Sequence, residues 1–387
     1  MRTVGLIAEF NPFHNGHRYI LEEIKKEFDA AVVIMSGSFV QRGDIAITDK
    51  HTRARAALMH GADLVIELPV IYALNTAQKF AYGAVETLNQ TGAVDALVFG
   101  SESGRVDELI RAAELLENES AEISDKIKKY TASGISYPAA REKAYDGIIG
   151  ADLLSSPNNI LALEYIRALM YTNSKIVPHT IRRTNDFHST SAESEIISAT
   201  AARRLIAEGK SVSEFLPEPE MDVYYISALD AALTYHLRMI QPERLAEIND
   251  VGEGLENRII SAARESFGFE AICAAAKSKR YTMSRIRRII LSSFLGLTKE
   301  LCRSAPSYIR VLGMNETGRA VLKEMKKKSR LPIVVKTADF MPDKIFESEI
   351  RASEAAALCR KSGALPAGAE YRTSPVIIGN QENRGGA

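Results

Sequence analysis

Two histidines three residues apart, His14 and His17, enclose Asn15 and Gly16 and follow Phe10-Asn11-Pro12-Phe13. An imidazole can donate a hydrogen bond to a phosphate oxygen or exchange a proton near neutral pH. Gly16 has no side chain, so a flat base or a phosphate can come close to the backbone there. The helix predicted to follow, with Ile20, Ile24 and Phe28 at i, i+4 and i+8, turns its free N–H groups and positive dipole end toward the turn. Together these features describe a phosphate site with two imidazoles added. A metal site is the poorer reading, because no third ligand with suitable spacing follows.

Three further segments carry chemistry. Ile197-Ser198-Ala199-Thr200-Ala201-Ala202-Arg203 sets two hydroxyls and an arginine at a helix start, where Ser198, Thr200 and Arg203 can contact phosphates. An ordinary N-capped amphipathic helix accounts for the same residues. Met35-Ser36-Gly37-Ser38-Phe39-Val40-Gln41-Arg42-Gly43 is a polar loop that can close over a small ligand, or simply join a strand to a helix. After it, Lys50, Arg53 and Arg55 are expected on a solvated helix face. The stretch from Lys277 to Arg288 holds Lys277, Lys279, Arg280, Arg285, Arg287 and Arg288 without a carboxylate, and offers Tyr281 for stacking. Such a patch can neutralise nucleic-acid phosphates, with Lys326-Lys327-Lys328 extending it; the alternative is a solvated helix face. Asp29, Asp44 and Glu102 stand unranked as metal or base positions.

Short apolar runs must position these groups. Val4–Ala8, Ala31–Met35, Leu64–Leu68 and Leu97–Phe99 alternate with helical patterns over about 17–28, 49–60, 76–90 and 105–118. The alternation predicts an α/β fold, a parallel sheet covered by helices, with any ligand outside the carboxyl ends of the strands. The informative polar residues do follow strands, including Ser36-Gly37-Ser38 and Gly100-Ser101-Glu102. Ser156 is expected to cap a further helix with Pro157 at its first position, and a fifth strand over Lys175–His179 leads into Arg182-Arg183. One domain over 1–210 follows from this reading. Phe215-Leu216-Pro217-Glu218-Pro219 is expected as a linker into 211–387, mainly helical over about 222–302, with a small α/β tail holding strands Tyr308–Leu312 and Pro332–Lys336. Gln381 to Ala387 is expected to fray.

Composition sets the remaining bounds. With 387 residues, 46% of them apolar, the chain can bury sizeable cores in two or three domains. Lys plus Arg and Asp plus Glu are both 49, so any charge-driven partner must be met by a local patch. Cys273, Cys302 and Cys359 lack ligand spacing and read as reduced structural thiols. No signal peptide or membrane span is evident, so a cytoplasmic protein is expected. No protein partner is inferred.

His14-Asn15-Gly16-His17 resembles the HxGH signature of the nucleotidyltransferase superfamily, in which the imidazoles hold ATP phosphates during attack at the α-phosphorus. Ile197–Arg203 is similar to that superfamily's ISSTxIR element, with alanine at its second serine and before the arginine. The wider sequence resembles the bacterial tRNA(Met) cytidine acetate ligase family. That resemblance rests on Gly5 to His17, Met35-Ser36-Gly37 with Gln41-Arg42-Gly43, Asp63 to Pro69, Phe99 to Glu102, Ser136 to Ala140, Pro157 to Leu161, Lys279 to Thr282 and Tyr308 to Met314.

The resemblance implies a Rossmann-like nucleotidyltransferase domain followed by the mainly helical region with its tail. It implies that acetate attacks ATP to give acetyl-adenylate, and that the N4 amine of the wobble cytidine of elongator tRNA(Met) then takes the acetyl group. His14 and His17 become the catalytic pair. ATP contacts are implied for Ile7, Ala8, Glu9, Phe10, Asn11, Pro12, Phe13, His14, Asn15, Gly16, His17, Arg18, Tyr19 and Ile20. They are also implied for Gly100, Asn158 and Arg183 with Arg182 beside it, and for Ser198, Thr200 and Arg203. Mg²⁺ is expected with the ATP. The basic segment becomes the tRNA-binding surface. The alternatives are an adenylyltransferase acting on a small phosphorylated metabolite, and an RNA-binding protein with a vestigial pocket.

Overall fold

The computed structural model describes residues 1–182 and 197–379. Its strands are β1 (Thr3–Ala8), β2 (Ala30–Ser36), β3 (Phe39–Val40), β4 (Asp44–Ile45), β5 (Leu64–Leu68), β6 (Ala96–Ser101), β7 (Val177–Arg182), β8 (Ile309–Met314), β9 (Ile333–Val334) and β10 (Val376–Ile377). β3 and β4 form a small hairpin, and the others form one sheet ordered β10-β8-β5-β2-β1-β6-β7, with β9 beside β8. All neighbours in it are parallel except β5 and β8. The chain runs outward from β1 to β2 and β5, then returns to the other side of β1 for β6. The order therefore reverses between β1 and β6, where an open α/β sheet presents its crevice.

Both faces of this sheet are covered, as near-continuous apolar strands require. Alternate residues divide between them by the two-residue period of a strand. Val4, Leu6, Val33 and Met35 meet Ile20, Leu21 and Ile24 of helix α1 (Asn15–Glu27) and Ala54, Ala57 and Leu58 of helix α2 (Lys50–Met59). Ile7, Val32, Ile34, Leu97 and Phe99 meet the opposite layer, which includes Phe80, Leu163 and Phe346. Asp49 caps α2, accepting from the His51 and Thr52 N–H groups. Among the described residues no helix is long and apolar enough to cross a membrane. The three cysteines are free and buried, and burial pushes each thiol up to about 12.

Several expectations change. Residues 309–314 are not confined to a tail: β8 pairs with β5, so the sheet runs across the expected 210/211 division. The expected linker is docked, with Phe215 and Leu216 buried against Ile197, Ala202 and Val212. Arg183 and Gln381–Ala387 lie outside the described residues.

The largest correction concerns α2. Arg55 is exposed, but Lys50 and Arg53 are 3% and 1% exposed, because the first turn of α2 meets the carboxyl ends of β1 and β2 and side chains from β5 and the C-terminal helices. Lys50 Nζ sits 2.6 Å from Glu67, 3.1 Å from Glu370 and 3.7 Å from Glu349. Arg310 of β8 bonds Glu67 at 2.8 Å and also Glu370. A Cβ on Gly37 would stand 2.5 Å from Glu349 Oε1 and 2.6 Å from Glu67 Oε1, so only glycine fits beside the cluster. Burial works against ionising Glu370, yet Lys50 and Arg310 outweigh it and hold that carboxyl far below the ordinary range. Burial, then the neighbouring Glu67, push Glu349 well above that range. Two cations thus face two carboxylates and one carboxylic acid.

Removing Lys50 leaves buried carboxylates uncompensated. Lys50→Met should cost about 3–5 kcal/mol in urea unfolding. Glu349 keeps a proton that the unfolded chain releases above its ordinary value, so native stability declines as pH rises through that interval. Glu349→Gln should remove the decline, matching wild type near about pH 4 and equalling or exceeding it near neutrality. A Glu349→Gln protein weaker than wild type at neutral pH would contradict a protonated Glu349.

Candidate active site

β1 ends at Ala8 and the chain turns sharply before α1 begins. Phe10 adopts φ 47°, a left-handed conformation that a bulky residue takes only when its surroundings fix it. Its buried ring packs edge-on against Phe13 at 5.0 Å and His17 at 4.9 Å. His14 is the N-cap of α1. The Gly16 N–H donates to His14 Nδ1 at 3.1 Å, and the His14 N–H donates to His17 Nδ1 at 3.3 Å. The two rings stack at 3.8 Å. A neutral imidazole that accepts at Nδ1 carries its proton on Nε2, so this reciprocal cap fixes both rings as Nε2–H donors.

The second motif reaches the first across 192 residues. Ser198 caps the helix Ala199–Ala207, accepting from the Ala201 N–H at 3.2 Å. Arg203 donates to the Asn11 carbonyl at 2.6 Å and to Thr200 Oγ1 at 3.1 Å. The Asn15 N–H and side chain bond the carbonyls of Phe215 and Glu214, fastening α1 to the same segment. Just beyond β6, Glu102 closes the start of the helix Pro157–Tyr171, accepting from the Asn158 side chain at 2.7 Å and the Asn159 N–H at 2.9 Å.

These elements enclose a cavity of ≈ 230 Å³ at the sheet's switch point. One wall is polar, with Asn11, His14, His17, Ser198, Thr200 and Arg203. The other is largely apolar, with Ile7, Phe80, Phe99, Leu161 and Tyr165. Ala8, Glu9, Phe10, Ile20, Gly100 and Asn158 also line it. Three helix N-termini, at His14, Ser198 and Pro157, therefore meet around one space, an arrangement suited to an anion. Burial pulls Arg203 below the usual guanidinium range. Burial also pushes Glu9 above the usual carboxylate range, against the pull of the Gln41 N–H and of Arg203, Arg42 and Arg53.

Other expected residues lie outside the lining. Pro12, Phe13, Asn15, Gly16, Arg18 and Tyr19 shape the turn and α1 without facing the cavity. Arg182 borders a separate shallow pocket with Glu102, Gly104 and Asp152. Of the three unranked acids, Glu102 is spent on Asn158 and Asn159, Asp44 on Arg287, and Asp29 on the Arg2 N–H. Gln41, Arg42, Phe80, Leu161 and Tyr165 line the cavity without having been marked for it. The Ser36–Gly43 loop did signal the first two, while the apolar wall carries no motif.

The basic segment divides in two. Lys277, Lys279 and Arg280 are exposed, with Arg280 2.7 Å from Glu253. Arg285 and Arg288 face inward to Asp250, at 3.2 and 2.9 Å. Arg287 bonds the Gly43 carbonyl, Asp44 and Glu270, at 2.8, 2.7 and 2.6 Å. Tyr281 is buried and donates to the Glu253 carbonyl, so it is withdrawn from stacking. At φ 79°, Gly43 lies so close that a Cβ would meet Arg287 Cβ at 2.7 Å. Arg287 is thereby locked next to the Arg42-Gly43 turn, whose Arg42 lines the cavity.

The sequence pattern of the HIGH Nucleotidyl Transferase family matches residues 1–367. A tRNA(Met) cytidine acetate ligase of Clostridium novyi is 38% identical, with 98% of this chain and 100% of the relative covered. The ligase of Caldanaerobacter subterraneus is 39% identical, with 94% and 97% covered. Among solved structures, Thermotoga maritima TmcAL bound with alpha-thio ATP gives a TM-score of 0.86 at 31% identity, covering 98% of this chain and 100% of that one. Its apo form gives 0.87 at 32% identity, with the same coverage.

Because His14 closes α1, His14→Ala should lower stability by about 1 kcal/mol, and His14→Asn, which restores a capping acceptor, should recover most of it. Urea unfolding of both variants measures the difference. Equal losses would mean that the imidazole does not cap the helix.

Proposed function

The chain belongs to the HIGH nucleotidyl transferase family and, within it, to the tRNA(Met) cytidine acetate ligases, and we propose that it makes N4-acetylcytidine in two steps. In the first, an acetate oxygen attacks the α-phosphorus of ATP, and pyrophosphate leaves as acetyl-adenylate forms. In the second, the N4 amine of the wobble cytidine of elongator tRNA(Met) attacks the acetyl carbonyl, and AMP leaves. The observation that carries this reading is the pair of imidazoles held as Nε2–H donors beside Arg203 and three helix N-termini.

In the first step charge grows on the phosphate oxygens, and fixed donors stabilise it without reorganising. His14, His17, Arg203, Ser198 and Thr200 take the phosphates, while Phe80, Phe99 and Leu161 give the purine an apolar wall. Among the described residues no three His, Cys, Asp or Glu side chains gather as a metal cage. The expected Mg²⁺ would therefore arrive on the triphosphate and offset its charge. For the tRNA, the exposed Lys277, Lys279 and Arg280 offer phosphate contacts, whereas Arg285, Arg287 and Arg288 are engaged by Asp250, Asp44 and Glu270.

Exchange of labelled pyrophosphate into ATP tests the first step. It should depend on acetate and proceed without tRNA, and His17→Asn should lower it at least about 100-fold. Folded protein that binds ATP but gives no exchange, with or without tRNA, would favour an adenylyltransferase for a phosphorylated metabolite. Neutralising Lys277, Lys279 and Arg280 together should weaken tRNA affinity and flatten its salt dependence by up to about three phosphate contacts. Unchanged affinity would move the tRNA surface elsewhere.

A further inference from the structure

Acylating the cytidine amine requires something to take its proton. We propose that Glu9 is that acceptor, an inference that rests on the ligase reading above. The exocyclic nitrogen of cytosine is a weak nucleophile, because its lone pair is delocalised into the ring. As its bond to the acetyl carbon forms, the nitrogen becomes acidic. Its proton passes to the Glu9 carboxylate, the carbon–oxygen bond to AMP breaks with the electron pair staying on the phosphate oxygen, and Glu9 later returns the proton to water.

The other groups facing the cavity are committed or unsuited. His14 and His17 already accept backbone N–H groups at Nδ1, so their Nε2 atoms carry protons and donate. Burial pushes the Tyr165 phenol far up, and nearby Glu9 pushes it further, so it holds its own proton. Arg42 and Arg203 are cations. Among the described residues lining the cavity, Glu9 is the only carboxylate.

Its placement fits the task. Glu9 is the first residue beyond β1, at the switch point, and its Oε1 is fixed by the Gln41 N–H at 2.7 Å. The backbone is fixed too, since Arg53 donates to the Glu9 carbonyl at 2.7 Å. The charged and titratable groups around it are Arg203 from the helix Ala199–Ala207, Arg42 from the loop after β2, Arg53 from α2 and Tyr165 from the helix Pro157–Tyr171. The three arginines and the Gln41 N–H favour the anion. Burial outweighs them and makes it a stronger base than an exposed glutamate.

The test separates the two steps. Pyrophosphate exchange with acetate reads the first, and single-turnover transfer from acetyl-adenylate to a tRNA(Met) transcript reads the second, across about pH 5.5 to 8.5. Glu9→Gln keeps the shape and the acceptor for the Gln41 N–H. Its transfer rate should fall about 100-fold further than its exchange rate, and the acid limb of the transfer profile should vanish. Glu9→Asp should keep that limb at a lower plateau. Parallel loss of exchange and transfer in Glu9→Gln, a raised KM for ATP with transfer intact, or an acid limb unchanged in that variant would each overturn the assignment. Wild-type protein without acetate-dependent exchange would overturn the ligase reading, and this inference with it.

Discussion

A single guanidinium holds the floor of the site. Arg53 is 1% exposed and donates to the carbonyls of Glu9 at 2.7 Å, Ser36 at 3.0 Å and Thr48 at 3.2 Å, and to that of Gly37. These carbonyls belong to the ends of β1 and β2 and to the loop that enters α2. Strands at their carboxyl ends run out of ladder partners just where a parallel sheet opens its crevice, and unpaired buried carbonyls are costly. One planar five-donor group meets that need for two adjacent strands at once. Burial draws Arg53 down to about 10, with Asp49 and Glu9 pulling the other way, so it remains a cation near neutral pH.

The same helix turn carries Lys50 to the other side of that floor, where its partners come from distant sequence. Glu67 lies on β5, Arg310 on β8, and Glu349 and Glu370 in C-terminal helices. The C-terminal half is thus part of the scaffold that shapes the cavity. Arg287 repeats the theme from a third direction, gripping Gly43 and Asp44, one and two residues beyond Arg42. The polar segment after β2 is held by Arg53 from one half and Arg287 from the other.

This division explains what was legible in the sequence. The period of apolar residues marks β1, β2, β5 and β6 to within a residue or two, because those strands are buried on both faces and must be apolar. His14 and His17 stand out because their chemistry, spacing and position after a strand agree. Lys50 and Arg53 misled for a physical reason: charged residues on an amphipathic helix normally face water, and nothing nearby reveals that Glu349 and Glu370 will arrive to neutralise one of them. Arg285, Arg287 and Arg288 looked unopposed for the same reason, since their carboxylates at Asp44, Asp250 and Glu270 lie outside the basic segment. The antiparallel docking of β8 on β5 has no local signature at all.

The double use of the histidines carries the last consequence. Each ring spends Nδ1 on closing the first turn of α1, and that structural bond decides the chemistry of the opposite nitrogen. A side chain anchored in this way is a good donor to phosphate, because its orientation and tautomer are set before any ligand arrives. It is for the same reason a poor base, since accepting a proton at Nδ1 would break the cap. The cap that fixes the imidazoles for charge stabilisation thus removes them from proton transfer, and the acyl step proposed above calls for a chemically separate group. The carboxylate of Glu9 stands at the strand end, before the turn that leads to them.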